Sequence, residues 1–191
     1  MRSFVSLYAR AHKIVPAAGL MALAVGILVL AEGRVIEVPW LTGTNRVNFG
    51  TVAAFIYSCA AILMFRNEIS RLEFLTPRRW CAIDRLILLV LWVFPWGLAL
   101  TGIASSRFAY VSTVLIGLCI CAGRFFRVDT LALLFVAQLV VQTGLWPVLE
   151  YSPLRHALFL LDHVRLLVML AVSGMFFILA CTQIDSFKKK T

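Results

Sequence analysis

The sequence lacks the short motifs by which many enzymes bind nucleotides, metals or acyl groups. Its 191 residues contain no G-x-x-x-x-G-K-[ST] phosphate loop, no H-E-x-x-H zinc motif and no G-x-S-x-G nucleophile turn. A phosphate loop holds nucleotide phosphates through its backbone N–H groups, so its absence excludes nucleotide binding of that type. We therefore expect a chain that is not an enzyme and that binds no cofactor or metal itself.

The sequence also leaves little room for a soluble domain. Hydrophobic residues make up 62% of the chain and the mean hydropathy is +0.94. A helix that spans the hydrocarbon core needs about 17–25 mostly apolar residues. We predict an all-α integral membrane fold: one transmembrane domain, residues 1–191, with six helices, the fourth of which needs Phe125 and Phe126 to reach this length. The predicted spans are Ile14–Ala31, Phe49–Phe65, 86–104, 108–126, 130–149 and 166–184.

Acidic residues are scarce, nine against eighteen lysines and arginines, but the net charge of +9 does not indicate nucleic-acid binding. If the N-terminus is cytoplasmic, six spans return the C-terminus to the cytoplasm. Thirteen basic residues then lie on the cytoplasmic side and five outside. Lys and Arg accumulate in cytoplasmic loops, so the distribution predicts that both termini are cytoplasmic. The basic residues would contact anionic membrane lipids.

The cysteines and the other potential metal-binding side chains indicate neither a set of disulfides nor a clear metal site. Four of the five cysteines fall within predicted spans, where they act as small apolar residues. One cluster between the last two spans could form a metal or acid–base site. No two of its members are four residues apart, so a polar rim at the outer headgroups is the better interpretation. The members are Glu150, His156, Asp162 and His163.

No Asp, Glu or Lys lies at the centre of a predicted span. Such residues mark the relays of proton- and ion-coupled carriers, so their absence disfavours that class and requires another energy source for any transport. Two amides do lie within the membrane. Gln138 and Gln142 are four residues apart on the fifth predicted span and share a helix face. This face either forms hydrogen bonds between helices, worth ~0.6 kcal/mol each, or lines a polar pathway.

The longest stretch between spans, residues 66–85, reads RNEISRLEFLTPRRWCAIDR. Ile69, Leu72 and Phe74 form one apolar edge at helical spacing, and most of the other positions are charged. The pattern predicts a short amphipathic helix on the cytoplasmic side, broken near Pro77. Acids contribute little to topology, so the acids of this segment favour a docking element for a cytoplasmic partner over a solvated loop.

Three other segments complete the outline. Residues 1–12 predict a short amphipathic helix in the inner interface, because Phe4, Leu7 and Tyr8 follow helical spacing. Residues 32–48 form an outer loop in which Val35–Trp40 alternates weakly, so a short extended piece is possible. Residues 150–165 are broken by proline and predict short re-entrant or interfacial helices on the outer side.

This order of elements resembles the permease subunits of type-2 ATP-binding-cassette exporters, particularly small actinobacterial forms. Members often have an acid, a mixed charged stretch, a leucine and then Thr-Pro-Arg between the second and third spans; here Leu75 is that leucine. The resemblance implies an N-terminal elbow helix, a coupling helix that docks a separate ATPase, and short outer helices before the last span. The residues expected to dock the ATPase are Glu68, Arg71, Leu72, Glu73, Phe74, Thr76, Pro77, Arg78 and Arg79.

The resemblance further implies an exporter of a peptide, a lipid or a hydrophobic small molecule in a bacterial plasma membrane. ATP and Mg would be bound by the partner ATPase, and a second permease, identical or different, would complete the pathway. One alternative is the substrate-binding membrane subunit of an energy-coupling-factor vitamin importer, for which Ala18, Ala22 and Gly26 supply a small-residue face on the first span. Another is a non-transport assembly or immunity protein, or a membrane enzyme.

Overall fold

The structure is a computed structural model that describes residues 13–31, 34–40, 43–65, 77–122 and 166–188, with isolated positions between 125 and 137. Two strands and five helices make up the described chain. In chain order they are helix α1 (Ile14–Ala31), strand β1 (Val35–Trp40), strand β2 (Gly43–Asn48), and helices α2 (Phe49–Phe65), α3 (Pro77–Leu100), α4 (Ser106–Ala122) and α5 (Leu166–Lys188).

The described helices are those of a membrane protein in length and composition. Three contain a stretch long and apolar enough to cross a bilayer: Ile14–Ala31, Ile83–Leu100 and Leu166–Gln183. The other two, α2 and α4, are apolar but have 17 residues each. Among the described residues, three helices are thus candidate spans and two further helices are apolar but shorter, so these residues do not establish the six predicted spans. The fifth predicted span, 130–149, lies largely outside the described residues.

The loop after α1 contains a two-stranded hairpin beside the helices. The extended piece expected at Val35–Trp40 is strand β1, and it pairs antiparallel with β2, which was not predicted. Val35 pairs with Asn48 and Trp40 with Gly43, so only two residues connect the strands. The N–H of Phe49 donates to the carbonyl of Arg34 at the base of this hairpin, and α2 begins there.

Helix α3 begins earlier than the predicted third span. Pro77, where the sequence predicts a break, is the first residue of a helix that continues to Leu100, and the stretch 66–76 before it lies outside the described residues. Proline suits this position because the first N–H of a helix has no intrahelical acceptor. At 1.5 Å per residue, the 24 residues extend about 36 Å, more than the ~30 Å of the hydrocarbon core. The charged sequence around Arg78 and Arg79 therefore belongs to the same helix as the apolar span.

Helix α4 is the centre of the described bundle. Helices α2, α3 and α5 pack against it, while α1 packs against α2. From Phe108 to Gly117 every residue of α4 is buried, as expected for a helix surrounded by others. By contrast, α1 buries only Ala17, Ala24 and Leu28 and exposes most of its remaining surface.

A short turn joins α3 to α4. Gly102 has a φ of +74°, which a residue with a side chain rarely adopts. The N–H of Ile103 donates to the carbonyl of Leu98, which is the hydrogen bond of a Schellman helix end. Ser105 then caps α4, because its Oγ accepts a hydrogen bond of 3.3 Å from the N–H of Phe108.

Candidate functional site

A proline in the middle of α3 creates the first feature of the site. Pro95 has no N–H, so the carbonyl of Leu91, four residues earlier, lacks its helical donor. The hydroxyl of Tyr57 on α2 donates a hydrogen bond of 3.0 Å to this carbonyl. Tyr57 is fully buried, so no solvent replaces that donor. A side chain of one helix thus completes the backbone hydrogen bonding of another.

A second set of hydrogen bonds joins α3 to α4 and α5 through Ser173. The indole N–H of Trp92 donates to the carbonyl of Ser173 at 3.2 Å, and that of Trp96 donates to its hydroxyl at 3.3 Å. The Ser173 hydroxyl donates in turn to Oγ1 of Thr113 at 2.8 Å. Ser173 and Thr113 are both buried. Together with the Tyr57–Leu91 bond, these contacts form what we call the polar node.

Two further hydroxyls line the seam between α2 and α4. Ser58 donates at 2.7 Å to the carbonyl of Ala54 in its own helix and lies 3.4 Å from the carbonyl of Ser112. The Ser112 hydroxyl is buried and has no hydrogen-bond partner among the described residues. Small hydroxyl side chains let helices approach closely in a membrane, where interhelical hydrogen bonds contribute about 0.6 kcal/mol each.

Aromatic rings surround the polar node. The ring of Tyr57 stacks on Phe94 with a centroid distance of 6.2 Å and meets Phe108 edge-on at 6.0 Å. The Trp92 ring packs against Phe177 of α5 at 5.4 Å. Each aromatic pair adds about 0.5–1.5 kcal/mol beyond the apolar area that it buries. The rings therefore fix the positions of the hydrogen-bonding atoms of the node.

Helices α4 and α5 cross very closely beside the node. A Cβ atom built on Gly117 would lie 2.7 Å from Cβ of Phe176 and 3.1 Å from its carbonyl oxygen. No ordinary side chain fits that gap, so glycine is required for this approach. Gly174, two residues before Phe176, has open space around its own Cβ direction.

One acid is buried in α3, at the second position of the candidate span Ile83–Leu100 and not at its centre. Asp84 is 1% exposed, and among the described residues it is the only charged side chain in the core. The predicted span began at residue 86 and so placed Asp84 outside the membrane. The structure puts it in the stretch Ile83–Leu100, two turns before Trp92. An ionisable residue buried in a membrane bundle is a candidate for function by default.

The structure describes few of the predicted site residues. The backbone of Pro77, Arg78 and Arg79 forms the first turn of α3. Glu68, Arg71, Leu72, Glu73, Phe74 and Thr76 lie outside the described residues, as do Gln138 and Gln142 and the cluster at 150–163. The amphipathic segment at 1–12 also lies outside them. Among the described residues, no group of three His, Cys, Asp or Glu is arranged to hold a metal ion.

The polar node was not predicted, although the sequence carried part of its signal. Pro95 within an apolar run indicates a free carbonyl four residues earlier, and a buried donor must be found for it. The sequence does not indicate which residue supplies that donor, because Tyr57 and Leu91 are 34 positions apart. No family model, curated protein or solved structure matches the chain.

Proposed function

We propose that this chain is the permease subunit of an ATP-driven membrane transporter, with six spans, both termini cytoplasmic, and an ATPase docked on residues 68–79. The cargo we propose is a peptide, a lipid or a hydrophobic small molecule moved outward across a bacterial plasma membrane. The resemblance of the charged segment to type-2 exporter permeases is one support. The continuity of α3 is the structural observation that carries the proposal.

A separate ATPase can move the membrane helices only through a rigid connection. Helix α3 supplies one, since it continues from Pro77, which lies within the proposed docking segment, to Leu100. Residues 77–79 of that segment form the first turn of α3, so a displacement there is carried along the helix axis.

The polar node supports the same proposal because it ties α3 to the rest of the bundle. Tyr57 links α3 to α2, and Ser173 links it to α5 and, through Thr113, to α4. A movement of α3 is therefore transmitted to three other helices near Pro95. A proline within a transmembrane helix is also a common position for a kink.

The experiment is purification of the tagged full-length chain in mild detergent from the host membrane. We expect an ATPase that carries a phosphate loop to co-purify in fixed ratio, and the preparation to hydrolyse ATP. A variant in which Arg78 and Arg79 are both changed to Glu should lose the ATPase but remain monodisperse. A chain that purifies without any ATPase from several detergents would contradict the proposal.

A vitamin-importer subunit is the second candidate, favoured by one observation on α1. Ala18 and Ala22 are exposed and Gly26 is half-buried, so the small-residue face of this helix is open for contact with another helix. The same purification separates the two candidates. A tightly bound water-soluble ligand in the purified chain would favour the importer, and its absence together with an ATPase would favour the exporter.

A further inference from the structure

Two hydrogen bonds attach α3 to its neighbours on the N-terminal side of Pro95. The hydroxyl of Tyr57 on α2 donates at 3.0 Å to the carbonyl of Leu91. The indole of Trp92 donates at 3.2 Å to the carbonyl of Ser173 on α5. The first bond replaces the helical one that the proline removes. On this side, the position of α3 is therefore set in part by side-chain contacts with other helices and not by its own backbone alone.

The C-terminal end of α3 is attached through a continuous series of hydrogen bonds. The Trp96 indole donates to the Ser173 hydroxyl, which donates in turn to Oγ1 of Thr113. Thr113 donates to the carbonyl of Ala109 within α4 at 2.8 Å. An indole only donates and a carbonyl only accepts, so the direction of every bond in this series is fixed. The turn to α4 adds two bonds from backbone N–H groups to the carbonyl of Leu98.

The part of α3 before Pro95 has room to move on one side. Four of its apolar side chains are exposed on the surface of the described bundle: Leu86, Leu89, Val90 and Val93. Leu88 on the opposite face is buried, but an apolar contact has no preferred direction. A tilt of this part can therefore keep apolar contact while it lengthens the two directional hydrogen bonds of Tyr57 and Trp92.

We propose that α3 contains a pivot at Pro95, about which residues 77–94, the long segment, tilt as one unit while the last turn of the helix stays with α4 and α5. A proline is a usual position for a helix to bend, because one intrahelical hydrogen bond is missing there. The bonds of Tyr57 and Trp92 form a latch that holds the long segment in the arrangement described. The pivot goes beyond the proposed function, because it belongs to α3 itself and requires no ATPase.

The expected movement is large enough to measure. Leu86 lies nine residues before Pro95, which is about 14 Å along the axis at 1.5 Å per residue. A bend of ~20° at a proline displaces Leu86 sideways by about 5 Å. Leu100, on the other side of the pivot, keeps its position because the end of α3 is held by α4 and α5.

The test is double electron–electron resonance on the full-length chain in lipid nanodiscs. The nitroxides are carried by a genetically encoded amino acid, so the five native cysteines stay in place. Labels at Leu86 and at Ile178 of α5 report the position of the long segment. Labels at Leu100 and at Leu167 of α5 report the position of the end of α3. All four side chains are exposed, so the labels do not disturb the packing of the bundle.

The latch is released by Tyr57→Phe combined with Trp92→Phe, which removes both donors and keeps an aromatic ring at each position. We expect the first distance to shift or broaden by about 5 Å and the second to stay as in the wild type. Trp96→Phe is the control, because it removes an indole donor on the other side of Pro95 and should leave the first distance unchanged. Adding Pro95→Ala to the released variant restores the helical N–H and should return the first distance to that of the wild type.

Circular dichroism and gel filtration establish that each variant is folded before the distances are measured. A first distance that release of the latch leaves unchanged would overturn the pivot. So would equal shifts of both distances, because α3 would then move as a single rod, or a shift that persists with Pro95→Ala. None of these outcomes depends on co-purification of an ATPase, so the pivot and the proposed function are tested separately.

Discussion

The hydroxyl of Tyr57 donates a 3.0 Å hydrogen bond to the carbonyl of Leu91, the one that Pro95 deprives of its helical partner. This relationship explains how a proline is accommodated at a buried position in the middle of α3. In a bilayer no water can satisfy the carbonyl, so the donor has to come from a neighbouring helix. The same bond fixes α2 against α3 at the level of the polar node.

Tyr57→Phe tests this bond directly, because it removes the hydroxyl and keeps the ring that stacks on Phe94. We expect the free energy of unfolding, measured by SDS titration in mixed micelles, to fall by about 1 kcal/mol. In a Pro95→Ala background the new N–H at position 95 can serve the Leu91 carbonyl, so the same substitution should cost much less. An equal cost in both backgrounds would show that the hydroxyl does not compensate for the proline.

Ser173→Ala removes the acceptor of the Trp96 indole and the donor to Thr113, but leaves the backbone carbonyl that Trp92 uses. We expect a loss of about 1–3 kcal/mol, because a buried N–H is left without a partner. The tryptophan emission should also change. Thr182→Ala is the control, since the Thr182 hydroxyl is exposed and donates only to Leu179 of its own helix. Identical effects of the two substitutions would contradict the conclusion that Ser173 joins α3 to α4 and α5.

Gly117→Ala should separate α4 from α5, because its Cβ would lie 2.7 Å from Cβ of Phe176. Overpacking of this kind costs about 1–3 kcal/mol in a packed core. Gly174→Ala is the matched control, and we expect it to be neutral or slightly stabilising, since alanine favours helix over glycine by about 1 kcal/mol. SDS titration of both variants measures the difference, and a tolerated Gly117→Ala would mean that the crossing is looser than described.

The proposed topology predicts opposite locations for the C-terminus and the hairpin. A reporter fused after Thr191 should be active in the cytoplasm, and one inserted between residues 40 and 43 should be active outside. The expectation follows from thirteen basic residues on the proposed cytoplasmic side against five on the other. A C-terminal reporter that is active only outside would reverse the topology and remove residues 68–79 from reach of a cytoplasmic ATPase.

Apolar runs predicted some helix bounds closely and others poorly. The predicted bounds of α1 and α2 coincide with the observed ones, because polar sequence begins where each run ends. The predicted third span begins at Leu86, nine residues after the start of α3, because Arg78, Arg79 and Asp84 interrupt the apolar run. Charged residues end a hydrophobic pattern without ending the backbone hydrogen bonds of a helix.

The candidate site could be predicted only in part, for a related reason. A proline within an apolar run leaves the carbonyl four residues earlier without its helical donor, and a buried tryptophan needs an acceptor for its N–H. The contacts themselves join residues 34 to 81 positions apart. Helical periodicity shows which residues share a face but not which helix lies opposite that face. The close approach of α4 to α5 at Gly117 was not predicted for the same reason.

The central claim is that residues 68–79 dock an ATPase whose work reaches the bundle through α3. The most direct measurement is co-purification and ATP hydrolysis with Glu68→Lys and Glu73→Lys combined, beside a Glu150→Lys control between the last two predicted spans. Losing desolvated charges from an interface costs ~2–5 kcal/mol, so the double variant should release the ATPase or uncouple its hydrolysis, with the unfolding of the membrane domain unchanged. Wild-type binding and hydrolysis by the double variant would contradict the account.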